Sequence, residues 1–143
     1  MKYGALSKNG FTLTELLVVL VIIGLLAALV GPVLYQRINP AKQSVARAQI
    51  ENFMTALDSY FLDTGKFPTQ QQGLAALRVR QEVESKWNGP YLKKEIPTDP
   101  WGNPFVYRSP GRNGGYEVIS YGVDGKEGGE GDNADINSWE AKK

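Results

Sequence analysis

Residues 11–30 read FTLTELLVVLVIIGLLAALV, and this stretch decides the architecture of the chain. A transmembrane helix needs about 20 consecutive and predominantly apolar residues, so the stretch is long enough to cross a bilayer once. The preceding residues 1–10 carry Lys2 and Lys8 and no acidic side chain. Because positive charge is retained on the cytoplasmic side of a membrane, we predict that the N-terminus stays inside and that the rest of the chain crosses to the far side.

Glu15 lies within the apolar run and separates three interpretations of it. A cleaved secretory signal peptide has a shorter apolar region of about 7–15 residues and a small-residue cleavage site, which Ala27, Ala28 and Leu29 match poorly. A plain signal anchor explains the length and the orientation. It does not explain a carboxylate, which costs about 2.5–3.5 kcal/mol near the centre of a spanning helix and is a mark of function there.

The third interpretation rests on residues 8–15, KNGFTLTE, which resemble the class III leader of type IV pilins and pseudopilins. The resemblance implies that a prepilin peptidase cuts between Gly10 and Phe11 and N-methylates Phe11. Since residues four apart share a helix face, the new amine can approach the Glu15 carboxylate of its own chain or, in a stack of staggered helices, of the next. Pairing across subunits removes the cost of a buried unpaired charge. We therefore predict that Glu15 sets the axial register of a filament.

A helical pattern continues beyond the apolar run. Pro32 is expected to kink or locally melt the helix, and the pilin resemblance supports a role for it in assembly. Gly65 predicts the end of the helix. Between Pro40 and Gly65, apolar residues recur at three- and four-residue spacing and predict one buried face, formed by Ala46, Ile50, Phe53, Leu57, Tyr60 and Phe61.

These observations divide the chain into four segments. We assign residues 1–10 to a cleaved leader, residues 11–31 to a transmembrane and filament-core helix, residues 32–64 to its amphipathic continuation, and residues 65–143 to a globular head. The fold class is α+β and pilin-like, with the long helix packed on a small antiparallel sheet.

The head begins with a predicted capping box, in which Thr69 is the N-cap and Gln72 reaches back, followed by a short helix to about Arg80. Residues 87–100 are predicted to be loop. Residues 105–108 and 116–120 predict two strands, joined as an antiparallel hairpin by the turn-rich residues 110–115. Residues 136–139 predict a further short strand or a packed tail.

Several short motifs of the head resemble the major pseudopilin family of bacterial type II secretion systems. They are residues 66–69 (KFPT), 72–74 (QGL), 99–104 (DPWGNP), 120–125 (SYGVDG) and 128–131 (GGEG). The alternative is a subunit of a type IV pilus or of a competence pseudopilus. Type IV major pilins commonly close the C-terminal region with a disulfide, and this chain has no cysteine.

The segment 120–136 combines acidic residues with glycines and predicts a site for a hard cation, because it offers oxygen ligands without nitrogen or sulfur. From the residues alone, a solvated acidic loop explains it equally well. The family resemblance implies one Ca²⁺, held by the side chains of Asp124 and Asp135 and by contributions from Ser120 and the Tyr121 carbonyl. Asp132 is a further candidate ligand.

The composition favours a structural role over catalysis. The chain has 16 basic and 15 acidic residues, which argues against a nucleic-acid binder, and it has no histidine or cysteine. A membrane-anchored enzyme is therefore disfavoured, and Glu15 with the processing site argues against a membrane-tethered calcium-binding module acting alone. The resemblance implies a non-enzymatic homopolymer in the inner membrane with its head in the periplasm. Its expected partners are the prepilin peptidase, minor pseudopilins, an inner-membrane assembly platform and a secretion channel.

Overall fold

Helix α1 runs without interruption from Leu13 to Thr64 in the computed structural model, which describes residues 10–82 and 84–140. Of residues 34–37 only the backbone is described. The helix continues through Pro32 and Pro40, so neither proline ends it. Gly65 does end it, with a left-handed φ of +78° and its N–H donating to the Phe61 carbonyl at 2.8 Å. The predicted C-terminus of the helix is confirmed.

The chain divides into two compact units, Met1–Ile38 and Asn39–Lys143. In the first unit, the apolar side chains of α1 are exposed on every side, as Leu25 at 67 % and Leu29 at 73 % illustrate. The helix is long and apolar enough to cross a membrane, by length and composition. An all-round apolar surface of this kind is typical of a helix that lies in lipid.

The second unit is built on the amphipathic half of α1. Its helix residues Ile50, Phe53 and Leu57 are almost fully buried, as the three- and four-residue spacing predicts. Phe53 meets the Phe105 ring edge-on at a centroid distance of 5.1 Å. The core also takes side chains from the short helix and the sheet, namely Leu74, Ala76, Leu77, Tyr107, Val118 and Ile136.

Three short strands form an antiparallel sheet in the order β1-β2-β3. They are β1 (Val106–Arg108), β2 (Glu117–Ser120) and β3 (Ile136–Asn137). Val106 pairs with Ile119 in the hairpin, and Ser120 pairs with Ile136 on the other side of β2. The predicted hairpin is confirmed, and residues 136–137 resolve as a strand. This register brings the two ends of the acidic segment side by side.

The short helix differs from the prediction. Thr69 and Gln72 make both bonds of the predicted capping box, at 2.8 and 3.3 Å. The helix that follows is a single 3₁₀ segment, Gly73–Leu77, so its N-cap is Gln72 and not the predicted Thr69, and it does not reach Arg80. Gly73 is left-handed, and the Leu77 carbonyl accepts the N–H groups of Tyr91 and Leu92, so it is not free to accept from the next helical turn.

Phe61 also departs from its predicted place on the buried face. Its side chain is 42 % exposed and only one side of the ring is covered, by Phe67 at a centroid distance of 4.7 Å. Phe61 follows directly after the fully buried Tyr60, so the helix turn carries it to the edge of the core.

Candidate functional sites

The predicted processing site lies directly before helix α1. Gly10 and Phe11 precede the first helical residue, and the Phe11 side chain is 85 % exposed. Glu15 caps the helix start, because its Oε2 accepts the Thr12 N–H at 2.9 Å and the Thr12 hydroxyl at 3.0 Å. The Glu15 N–H in turn donates to Thr12 Oγ1 at 3.2 Å. The carboxylate is therefore held at the helix N-terminus, where the helix dipole favours negative charge.

Pro32 lies within α1 and is exposed, together with the adjacent Gly31. A Cβ added at Gly24 or Gly31 would meet nothing within 4 Å in the single chain. These small residues therefore leave room along the helix for close approach of another helix, although no partner chain is present. The effect of Pro32 on the helix inside a filament stays a prediction.

The acidic segment closes a loop between β2 and β3. Asp135 lies at the base of the loop, directly before β3, and its Oδ2 accepts the Gly128 N–H at 2.9 Å. Its Oδ1 is buried and has no hydrogen-bond partner among the residues that the structure describes. A buried carboxylate oxygen without a donor is costly, so this atom is well suited to face a cation.

The other predicted ligands lie around the same loop. Asp124 is exposed, and its Oδ1 accepts the Lys126 N–H at 3.1 Å in a tight local turn. Asp132 lies in a 3₁₀ turn, Gly131–Asn133. The Tyr121 hydroxyl accepts a hydrogen bond from Arg108 Nη2 at 2.9 Å, a side-chain contact that does not use the Tyr121 carbonyl.

Ser120 is fully buried at the end of β2 and donates its hydroxyl to Asp99 Oδ2 at 2.7 Å. Its Oγ also receives the Gly122 N–H at 3.4 Å. The Ser120 hydroxyl thus joins the loop to the protein interior. Within residues 10–82 and 84–140, no three acidic side chains converge closely enough to form a metal cluster on their own. A cation here would need backbone carbonyls or water to complete its coordination, as is usual for Ca²⁺.

Two glycines show why the loop requires residues without a side chain. Gly122 has a φ of +64°, and a Cβ there would lie 3.1 Å from the Ala134 carbonyl oxygen. Gly129 has a φ of +94°, and a Cβ would lie 2.5 Å from the Asn133 carbonyl oxygen. The two arms of the loop therefore approach each other at backbone distance, which only glycine permits.

Asp99 supports the loop from below. It is 3 % exposed, and its Oδ1 accepts the N–H groups of Trp101 at 3.1 Å and Asn103 at 2.8 Å. Asn103 then donates its side-chain amide to the Gly122 carbonyl at 3.0 Å. The DPWGNP motif is thus the support on which the acidic loop rests. The sequence marks this motif only by its family resemblance, and no local pattern in it predicts the contacts of Asp99 with Ser120 or of Asn103 with Gly122.

Glu127 closes the exposed side of the loop through two arginines of the hairpin. It accepts hydrogen bonds from Arg108 Nη2 at 3.1 Å and from Arg112. These bonds, from Arg108 first, hold the pKa of the Glu127 carboxyl below its usual range. The bond to Glu127 likewise raises the pKa of Arg108. The sequence contains no local pattern that would have paired Glu127 with Arg108, which lies 19 residues away.

Two family models match the chain. The model described as type II secretion system (T2SS), protein G, matches residues 33–139, and the prokaryotic N-terminal methylation motif matches residues 6–31. The second match covers the predicted processing site and the apolar run up to Gly31.

Relatives named type II secretion system core protein G match over nearly the whole chain. The Pseudomonas aeruginosa protein is 45 % identical over 136 residues, which is 93 % of this chain and 96 % of that protein. The Vibrio cholerae protein is 44 % identical and covers 92 % of each chain. The Escherichia coli K12 protein is 40 % identical, over 95 % of this chain and 94 % of its own.

A solved structure shares the fold. It is the crystal structure of the major pseudopilin from the type 2 secretion system of enterohaemorrhagic Escherichia coli. The TM-score is 0.60 at 30 % sequence identity, and the match covers 71 % of this chain and 89 % of that one.

Proposed function

The chain belongs to the family of type II secretion system core protein G and is a pseudopilus subunit; from that premise we propose how its own residues serve processing, assembly and loop stability. The observation that carries the proposal is the exposed apolar half of α1 with Glu15 fixed at its start. A helix of this kind has no partner surface within the described chain. Lipid covers it before assembly, and neighbouring subunits cover it afterwards.

The processing step follows from the N-terminal segment. A prepilin peptidase cuts between Gly10 and Phe11 and N-methylates Phe11, which leaves a cationic amine one helical turn before Glu15. In the free subunit, the Glu15 carboxylate is satisfied by Thr12. In the filament, the carboxylate meets the Phe11 amine of a neighbouring subunit, and this pairing fixes the axial register. Charge pairing in a low-dielectric helix bundle is strong and geometrically selective.

The location and the partners follow from the same arrangement. Lys2 and Lys8 hold the leader in the cytoplasm, α1 anchors the subunit in the inner membrane, and the head lies in the periplasm. The subunits form a homopolymer that an inner-membrane platform extends. Minor pseudopilins and the outer-membrane secretion channel are the further partners. The role is structural, and export of folded proteins results from growth of the filament rather than from catalysis by this chain.

Two substitutions at Glu15 separate charge pairing from helix capping. Glu15→Gln keeps an oxygen that accepts from Thr12 but removes the charge, whereas Glu15→Ala removes both. We expect both variants to accumulate in the inner membrane and to assemble few filaments, measured by shearing, sedimentation and secretion of a reporter. Glu51→Gln, which removes an exposed carboxylate from the same helix outside the apolar run, is the matched control. Assembly of Glu15→Gln at the wild-type rate would show that the charge has no role.

We also propose that the loop 121–135 binds one Ca²⁺. The support is the buried Oδ1 of Asp135, which no donor within residues 10–82 and 84–140 reaches, together with the all-oxygen donor set and the backbone geometry that the glycines permit. Asp124 and Asp135 would supply carboxylate oxygens, with Asp132, Ser120 and the Tyr121 carbonyl available beside them. When bound, the ion would offset the negative charge of Asp124, Asp132 and Asp135.

Calcium binding to the folded head predicts a stability gain that grows with the logarithm of the ion concentration. At 100 times Kd the gain is about 2.7 kcal/mol. For a head of this size the thermal midpoint shifts by about 4–8 °C per kcal/mol, so a shift on the order of 10 °C is expected. Differential scanning fluorimetry in calcium and in EDTA measures it, with Mg²⁺ as the control ion. An identical midpoint in all three conditions would remove the calcium proposal.

A further inference from the structure

Two side chains of helix α1 hold the tip of the acidic loop. Asn39 Nδ2 donates to Asp132 Oδ2 at 2.7 Å, and Gln43 Nε2 donates to the Gly131 carbonyl at 3.4 Å. Asn39 and Gln43 are four residues apart and so lie on one helix face. Both acceptors belong to the 3₁₀ turn Gly131–Asn133. The contacts join residues 93 and 88 positions apart in the chain.

The Asn39 contact is the stronger of the two. A hydrogen bond from an amide to an ionised carboxylate is charge-assisted, and 2.7 Å is at the short end of its range. The Gln43 contact is long and goes to a neutral acceptor. Asp132 itself is exposed, so without Asn39 its side chain would rotate freely among its rotamers in water. Asn39 is half-buried and therefore a firmer support.

We propose that Asn39 is a positioning residue for the cation loop, which fixes Asp132 as a ligand and couples occupancy of the loop to order in the first helical turns of the head. This inference rests on the proposed calcium function. An ionised carboxylate has about four lone-pair sites, and Asn39 occupies one of them, so the other sites of Asp132 remain open to a cation. The amide thus restricts the carboxylate without neutralising it.

The coupling works in both directions. If Asn39 orders Asp132 for the ion, then the bound ion must stabilise the Asn39 contact by the same free energy. Asn39 opens the second compact unit and lies directly before Pro40. Residues 39–43 are therefore the part of the helix whose backbone opening should respond to calcium. If calcium only neutralised the charges of the loop, backbone opening of this helix segment would not depend on calcium.

The test is a double-mutant cycle on calcium affinity with the full-length, detergent-solubilised protein. Asn39→Ala is expected to weaken calcium binding about fivefold by isothermal titration, because the ion must then order a freely rotating Asp132 side chain at a cost of about 1 kcal/mol. In the Asp132→Ala background, Asn39→Ala should have no further effect, because its acceptor is gone. Asn52→Ala is the matched control, since Asn52 is an exposed asparagine of the same helix outside the loop contact.

Amide hydrogen exchange tests the coupling directly. A residue with only a structural role would not alter how calcium changes the exchange rates. Calcium should slow exchange of the backbone amides of Asn39 and of residues 41–43 in the wild type and in Asn52→Ala, and should lose that effect in Asn39→Ala; Pro40 has no N–H to exchange. Equal calcium affinity in wild type and Asn39→Ala would overturn the positioning role while the calcium site stands. A wild type that binds no calcium would overturn both proposals, and the wild-type titration alone reveals that outcome.

Discussion

Removing the Asp99 carboxylate tests the claim that the DPWGNP turn supports the acidic loop. Asp99→Ala leaves three donors without their acceptor, namely the N–H groups of Trp101 and Asn103 and the hydroxyl of Ser120. The two N–H groups are only partly buried, and each loses about 0.5–1.5 kcal/mol of net hydrogen bonding. Ser120 is fully buried, and its orphaned hydroxyl costs about 1–3 kcal/mol.

The sum is partly offset, because the variant no longer buries a charge. We therefore expect Asp99→Ala to lower the free energy of unfolding by about 3 kcal/mol in EDTA. Asp99→Asn retains an oxygen for the two N–H groups and an amide that can donate to Ser120, so its loss should be about 1 kcal/mol. Both variants remove the carboxylate charge, so the larger loss of stability in Asp99→Ala follows from the hydrogen bonds that only Asp99→Asn can keep.

Urea unfolding of the detergent-solubilised protein, followed by tryptophan fluorescence, measures these losses. The three tryptophans, Trp87, Trp101 and Trp139, all lie beyond helix α1, so the signal reports on the head. The matched control is Asp124→Ala, which removes an exposed carboxylate and should change stability in EDTA by less than about 0.5 kcal/mol. A loss below about 1 kcal/mol for Asp99→Ala, at an unchanged slope, would refute the support role.

Two further predictions concern the core tyrosines and the helix end. Burial raises the pKa of Tyr107 to about 12, and burial, followed by the charge of Asp58, does the same for Tyr116. The unfolded phenols ionise near 10, so between pH 10 and 12 the folded state binds more protons, and stability must fall as pH rises. Absorbance at 295 nm should show at least two tyrosines titrating late, since burial also raises the pKa of Tyr60 and of Tyr91, and normal titration of every phenol would contradict the burial of Tyr107 and Tyr116. Gly65→Ala forces a left-handed alanine with no clash around the added Cβ, so it should cost about 1 kcal/mol in urea unfolding, and no loss would contradict the left-handed stop.

The elements that the sequence predicts correctly are those whose determinants are local. The apolar run specifies the exposed helix, Gly65 specifies its end, and Thr69 and Gln72, three positions apart, specify the paired hydrogen bonds of a capping box. The hairpin follows from two β-rich runs and the glycine-rich turn between them. In each case the interacting residues are neighbours in the chain, so spacing alone carries the information.

The parts that sequence reasoning missed depend on contacts between distant residues. Asn39 meets Asp132 across 93 positions, and Asp99 meets Ser120 across 21. No spacing rule pairs such residues, because tertiary packing brings them together. The predicted length of the short helix was wrong for a related reason. The Tyr91 N–H donates to the Leu77 carbonyl, which a longer helix would need as an acceptor for its own next turn.

The central claim is that this chain is processed at Gly10 and assembles through the new N-terminus. The most direct test is the intact mass and N-terminal residue of the protein purified from its own inner membrane. The account predicts a chain that begins at N-methylated Phe11. A chain that still begins at Met1, or one cut near Ala28, would contradict it, because neither species carries the Phe11 amine that Glu15 is proposed to bind.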